Sequence, residues 1–140
     1  MAKNQATTAK FVGKLESLAK ISIFVTSAAR AAGFDENTVY CIQLAADEAA
    51  SNIVEHAYGE EINGDILCTC QDEPSQFVII LQDSGIPFDP NVVPDYGLDI
   101  PLENRRPGGA GLYIMRKLMD SVKFEFSPEA GNKLVMVKRK

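Results

Sequence analysis

Apolar residues recur at Ile42, Ala46, Ala49, Ile53 and Ala57 in steps of three and four, which predicts a long amphipathic helix with those residues on its core face. Asp35 stands just before it, where a side-chain oxygen can cap the first turn. An earlier helix is predicted from Leu15, Leu18, Ser22, Val25, Ala29 and Ala32, which mark one side of a segment that Gly33 ends. A third runs from Gly108 through Leu112, Tyr113, Met115, Leu118 and Met119 to about Asp120. Elsewhere the period shortens to two or gives way to short apolar runs, as strands require. Thr7 to Val12 reads as one strand, and Asp65 to Gln71 with Gln76 to Gln82 as a hairpin around Asp72-Glu73-Pro74-Ser75. Within that hairpin, Phe77 to Leu81 is apolar on both faces and reads as a buried strand ending at Asp83. Val122, Phe124 and Phe126 alternate with polar neighbours, as do Leu134 and Met136, which predicts two half-buried strands joined at Pro128 to Asn132.

The order is strand, two helices, two strands, a long loop, a helix and two strands, so strands are segregated from helices. It predicts an α+β two-layer sandwich, a mixed and largely antiparallel sheet with helices on one face. A single domain over residues 1–140 is expected, because no linker, repeat or low-complexity segment divides the chain and its length allows one real core. The loop, about residues 86–107, carries Pro94, Pro101 and Pro107 and no sustained period. A loop of that length in a compact domain reads as a lid.

Three polar motifs fall on these elements in a fixed order. Glu48 and Asn52 lie four residues apart on the second helix. At about 100° per residue they sit about 40° from each other and off the apolar stripe, so they can face one site. A carboxylate beside an amide oxygen suits Mg²⁺, which takes few protein ligands and fills its shell with phosphate oxygens and water. Two solvated residues on an outer helix face would look the same. Asp83-Ser84-Gly85 is ordinary turn chemistry, and it also places an acid where it can accept a hydrogen bond from an adenine amine. Gly108-Gly109-Ala110-Gly111-Leu112 opens the third helix, where glycines serve as a hinge or let phosphate oxygens reach unpaired backbone N–H groups. This is neither a Walker loop, since no Lys-Ser/Thr follows, nor a dinucleotide fingerprint, since Ile114 stands where a third glycine belongs. Arg105 and Arg106, near the end of the lid, are either a solvated pair or placed to meet a γ-phosphate. Together the motifs supply the parts of a Mg·ATP site.

Composition narrows the picture. A net charge of −5 and a pI near 4.9 argue against a general nucleic-acid binder, which needs a basic face to displace counterions. The apolar runs are far shorter than a membrane span and the N-terminal MAKNQATTAK lacks a signal-peptide core, so a cytoplasmic protein with no membrane partner is expected. Cys68 and Cys70 alternate on one strand and Cys41 lies on the second helix. Reduced thiols are expected rather than a metal site, because the only histidine is His56. His56 follows Glu48 by eight residues, and reads as capping the helix end or bordering the site.

The ordered set Glu48 and Asn52, Asp83-x-Gly85, Gly109-x-Gly111 resembles the N, G1 and G2 boxes of the GHKL ATP-binding superfamily. The wording of DEAASNIVEHAY, DSGIPFDP and GGAGLYIMRKLMD is similar to its RsbW-like branch of anti-sigma factors and serine-protein kinases, over about residues 7 to 139. The resemblance implies the GHKL fold, with Glu48 as the base that activates an attacking hydroxyl. It also implies Asn52 as the Mg²⁺ ligand, Asp83 as the adenine anchor with Gly85 as its turn, and Gly109, Gly111 and Leu112 lining the phosphates by backbone. It further implies a homodimer that phosphorylates a serine or threonine of a STAS-type anti-sigma factor antagonist and sequesters a sigma factor. Family members often place a threonine in the last strand near the adenine-binding Asp, whereas Gly131-Asn132-Lys133-Leu134-Val135-Met136 has none. The alternative expectation is therefore a catalytically weak or inactive ATP-binding module acting by protein binding only.

Overall fold

The computed structural model describes residues 5–58, 64–85, 109–129 and 131–140. The expected lid at 86–107, with Arg105 and Arg106, lies outside the described residues. Strands β1 (Gln5–Val12), β2 (Asp65–Asp72), β3 (Gln76–Asp83), β4 (Ser121–Ser127) and β5 (Gly131–Arg139) form one five-stranded sheet in the order β1-β2-β3-β5-β4. Every pairing among them is antiparallel. Helices α1 (Leu18–Ala31), α2 (Glu36–Asn52) and α3 (Gly109–Leu118) make the second layer, with α2 in the middle against both others. The expected α+β sandwich is present.

The helix faces follow from where small and branched residues recur. On α2, Val39, Ile42, Ala45, Ala46, Ala49 and Ala50 are all buried, and the alanines let neighbouring backbones come close. Asp35 caps it, accepting a hydrogen bond from the Thr38 N–H at 2.8 Å, and the Thr38 side chain, followed by that N–H, holds its carboxyl below the usual carboxylate range.

The α1 stripe differs from the expected one. Its buried row is Ile21, Val25, Thr26 and Ala29, while Leu15 is 67% exposed. Leu15–Ser17 form a 3₁₀ turn, whose tighter winding takes Leu15 off the face that the α-helix presents to the core. Ser22 instead accepts a hydrogen bond from Gln43 Nε2 on α2 at 3.1 Å.

The sheet buries one row of alternate residues against the helices: Ile66, Cys68 and Cys70 on β2, Phe77, Ile79 and Leu81 on β3, Leu134 and Met136 on β5. Cys41, Cys68 and Cys70 are free thiols, and the Cys68 thiol is pushed up by its hydrogen bond to Cys70 and then by burial. Asp83 continues the β3 alternation, so its side chain lies on the helix side at the end of the strand, only 7% exposed. The β3–β5 register sets it opposite Asn132.

Candidate functional site

Two polar clusters stand on the helix side of the sheet. The first joins α2 to α3. Had Gly111 carried a Cβ, that atom would lie 2.6 Å from Glu48 Oε2 and 3.7 Å from Asn52 Nδ2. The first and third motifs, remote in sequence, therefore touch. Gly111 is the third residue of α3, so its backbone N–H belongs to the first turn, where no intrahelical acceptor exists. A carboxylate and an amide thus meet a helix end that attracts anions.

Electrostatics sharpen this cluster. Burial raises the Glu48 carboxyl above the usual range, and the charges of Glu55 and Asp47 raise it further. Asp47 is also raised by burial, partly countered by a hydrogen bond with Ser22. Asn52 Nδ2 is buried and is the only buried side-chain nitrogen or oxygen among the described residues without a hydrogen-bond partner. Such an orphan amide is costly unless something arrives to satisfy it. The α-helix ends at Asn52 and the chain widens at once into a π-helical turn, Ile53–Tyr58, which contains His56. Turns of that kind recur at functional sites.

The second cluster closes the ends of β3 and β5. Asp83 Oδ1 accepts hydrogen bonds from the Gly85 N–H at 2.9 Å and from Asn132 Nδ2 at 2.8 Å. Asn132 Nδ2 also donates to the Gly85 carbonyl oxygen at 3.0 Å. Gly131 has φ +80° and passes so close to Asp83 that a Cβ on it would strike the Asp83 carbonyl oxygen. That position requires glycine on both counts.

The structure brings Glu48, Asn52 and Gly111 together and places Asp83 with Gly85. Gly109 begins α3, and Leu112 has its side chain in the core. Sequence reasoning missed Gly131 and Asn132 as parts of the site. The signal available was a Gly-Asn pair at the start of the last strand, and its meaning depends on which strand lies alongside.

A family model described as the histidine kinase-like ATPase domain matches residues 11–138. The chain is also similar to the serine-protein kinase RsbW of Bacillus thuringiensis (strain Al Hakam), Bacillus cereus (strain AH187) and Bacillus anthracis (strain CDC 684 / NRRL 3495). In each case it is 32% identical over 117 residues, covering 81% of this chain and 72% of the relative. With the antiparallel sheet and three α-helices of its described residues and these matches, the chain belongs to the histidine kinase-like (GHKL) ATPase family, in the group of RsbW-like serine-protein kinases.

Proposed function

We propose that this protein binds Mg·ATP and transfers the γ-phosphoryl group to a serine or threonine of an anti-sigma factor antagonist, and that it otherwise sequesters a sigma factor. The contact of Glu48 and Asn52 with Gly111 at the start of α3 carries the reading. It gathers a carboxylate, an amide and the N–H groups of a first helical turn in one place, which are the parts that phosphoryl transfer from Mg·ATP calls for.

The residues present fit the group that the family implies. The Asn52 amide oxygen is the kind of hard donor that Mg²⁺ takes when phosphates and water complete its shell, and the buried Nδ2 beside it, without a partner, is a donor that a phosphate oxygen would satisfy. When bound, Mg²⁺ would neutralise charge on the phosphate oxygens, with Asn52 supplying the protein ligand through its amide oxygen. Glu48, whose carboxyl burial raises above the usual range, would take the proton of the acceptor hydroxyl. Gly109, Gly111 and Leu112 would offer backbone N–H groups to the phosphates, Arg105 and Arg106 would meet the γ-phosphate, and Asp83, set by Gly85, would accept from the adenine amine. Partner switching follows if a homodimer holds sigma factor and unphosphorylated antagonist on overlapping surfaces, because phosphorylating the antagonist would release it.

Among the described residues no helix is long and apolar enough to cross a membrane, which accords with cytoplasmic partners. A second reading, a binding module without transfer, is favoured by one observation, the lack of a threonine between Gly131 and Met136 in the last strand, where family members often carry one. The deciding experiment incubates the protein with labelled ATP and candidate antagonists, in parallel with sigma-factor capture. Label on the antagonist supports the kinase; sigma capture without label supports the binder.

A further inference from the structure

Two hydrogen bonds from the Asn132 amide nitrogen fall on one turn. Nδ2 donates to Asp83 Oδ1 at 2.8 Å and to the Gly85 carbonyl oxygen at 3.0 Å, while the Gly85 N–H donates to the same Asp83 Oδ1 at 2.9 Å. The two donors meet on one carboxylate oxygen, so the plane of that carboxylate is fixed and its second oxygen is the one left to accept from a ligand. Gly131 makes the arrangement possible, since only a residue without Cβ lets β5 come this close to the Asp83 backbone.

We propose that Asn132 is the positioning residue for base selection: by holding the Asp83–Gly85 turn from the neighbouring strand, it aims the carboxylate at an exocyclic amine of a purine. This rests on the ATP reading given above. A hydroxyl in its place has one proton and can satisfy one of the two acceptors, whereas the amide satisfies both. The base preference of this chain is therefore set by a cross-strand amide, and the two ends of β3 and β5 act as one rigid edge of the base site.

The test compares wild type with Asn132→Leu, which keeps the branched shape but removes the donors, and with Asn132→Thr, which suits a strand and restores one donor. Two quantities are measured. One is the ratio of affinities for ATP and for purine riboside triphosphate, the same molecule without the 6-amino group. The other is amide hydrogen exchange at Gly85 in nucleotide-free protein. Wild type is expected to prefer ATP by about tenfold or more, since one charge-assisted hydrogen bond separates the ligands. Asn132→Leu should cut that preference several-fold and speed Gly85 exchange about tenfold, with Asn132→Thr in between. If wild type discriminates and both variants keep its ratio and its Gly85 exchange, the assignment to Asn132 is overturned while the ATP reading stands. If wild type binds neither triphosphate, the ATP reading itself falls and takes this assignment with it.

Discussion

Gly111 and Glu48 stand so close that the side chain of alanine at position 111 would overlap the Glu48 carboxylate, at 2.6 Å from Oε2. The atom struck is the far end of a flexible side chain, so the fold can yield by swinging Glu48 aside. Alanine also favours a helix over glycine by about 0.8–1 kcal/mol. Gly111→Ala is therefore expected to unfold within a few degrees of wild type, yet to lose phosphoryl transfer and to weaken ATP binding about tenfold or more. Thermal melting alongside nucleotide titration checks this. A variant that melts early and also fails to bind would point to a packing role instead.

Glu48→Gln separates binding from chemistry. Transfer should be lost while ATP binding persists, because the amide keeps the shape but cannot take a proton. The sign of its effect on stability follows from the raised carboxyl. A group whose pKa is higher folded than unfolded adds stability below its unfolded pKa, and that contribution disappears as pH rises through the folded value. Burial, then Glu55 and Asp47, all disfavour ionising wild-type Glu48, a penalty that glutamine does not carry. The glutamine variant should then melt higher than wild type at pH 7, with the gap shrinking as the pH is lowered through the carboxylate range. Melting curves from pH 4 to pH 8 decide it, and a constant gap would count against the raised carboxyl.

Asp83→Asn addresses the proposed adenine anchor. Losing one charge-assisted hydrogen bond should cost on the order of 1.5–3 kcal/mol, about tenfold or more in ATP affinity. Titration with a fluorescent ATP analogue, with and without Mg²⁺, measures it. Unchanged affinity would remove Asp83 from the base site.

Two glycines with positive φ allow a controlled comparison. Gly33, at φ +99°, has nothing within 4 Å of a built Cβ, so Gly33→Ala should cost only backbone strain, about 1–2 kcal/mol. Gly131, at φ +80°, meets the Asp83 backbone as well, which cannot swing away. Gly131→Ala should lose more stability than Gly33→Ala and, unlike it, reduce ATP affinity. Denaturant titration of both variants gives the difference directly.

Much of this arrangement is legible in the chain before any coordinates. The alanine-rich stripe of α2, the hairpin of β2 and β3 and the end of β3 at Asp83 are local patterns, in which neighbours along the chain decide the outcome. Glu48 and Asn52 share a helix, so their common direction follows from helical geometry. What stayed hidden depends on partners remote in sequence or on a change of winding. The resemblance sets the last strand near Asp83, but nothing near Asn132 announces that its amide will bond that carboxylate, because the β3–β5 register is settled by two whole strands packing against the common core. The 3₁₀ turn at Leu15 and the π turn after Asn52 break the 3.6-residue period that the apolar spacing assumes, which is why Leu15 faces solvent.

The bond from Asn132 to Asp83 spans 49 residues, and it has a consequence for the order of events during synthesis. A ribosome delivers Glu48, Asn52 and Asp83 well before the strand that holds Asp83 in place. Until residue 132 has left the exit tunnel, β3 has no neighbour on that side and the Asp83 turn has no cross-strand donor. If Asp83 holds the base as proposed, nucleotide affinity would arrive only once β5 has paired with β3, and a nascent chain stalled before that point would expose the unpaired edge of β3 rather than an ATP site.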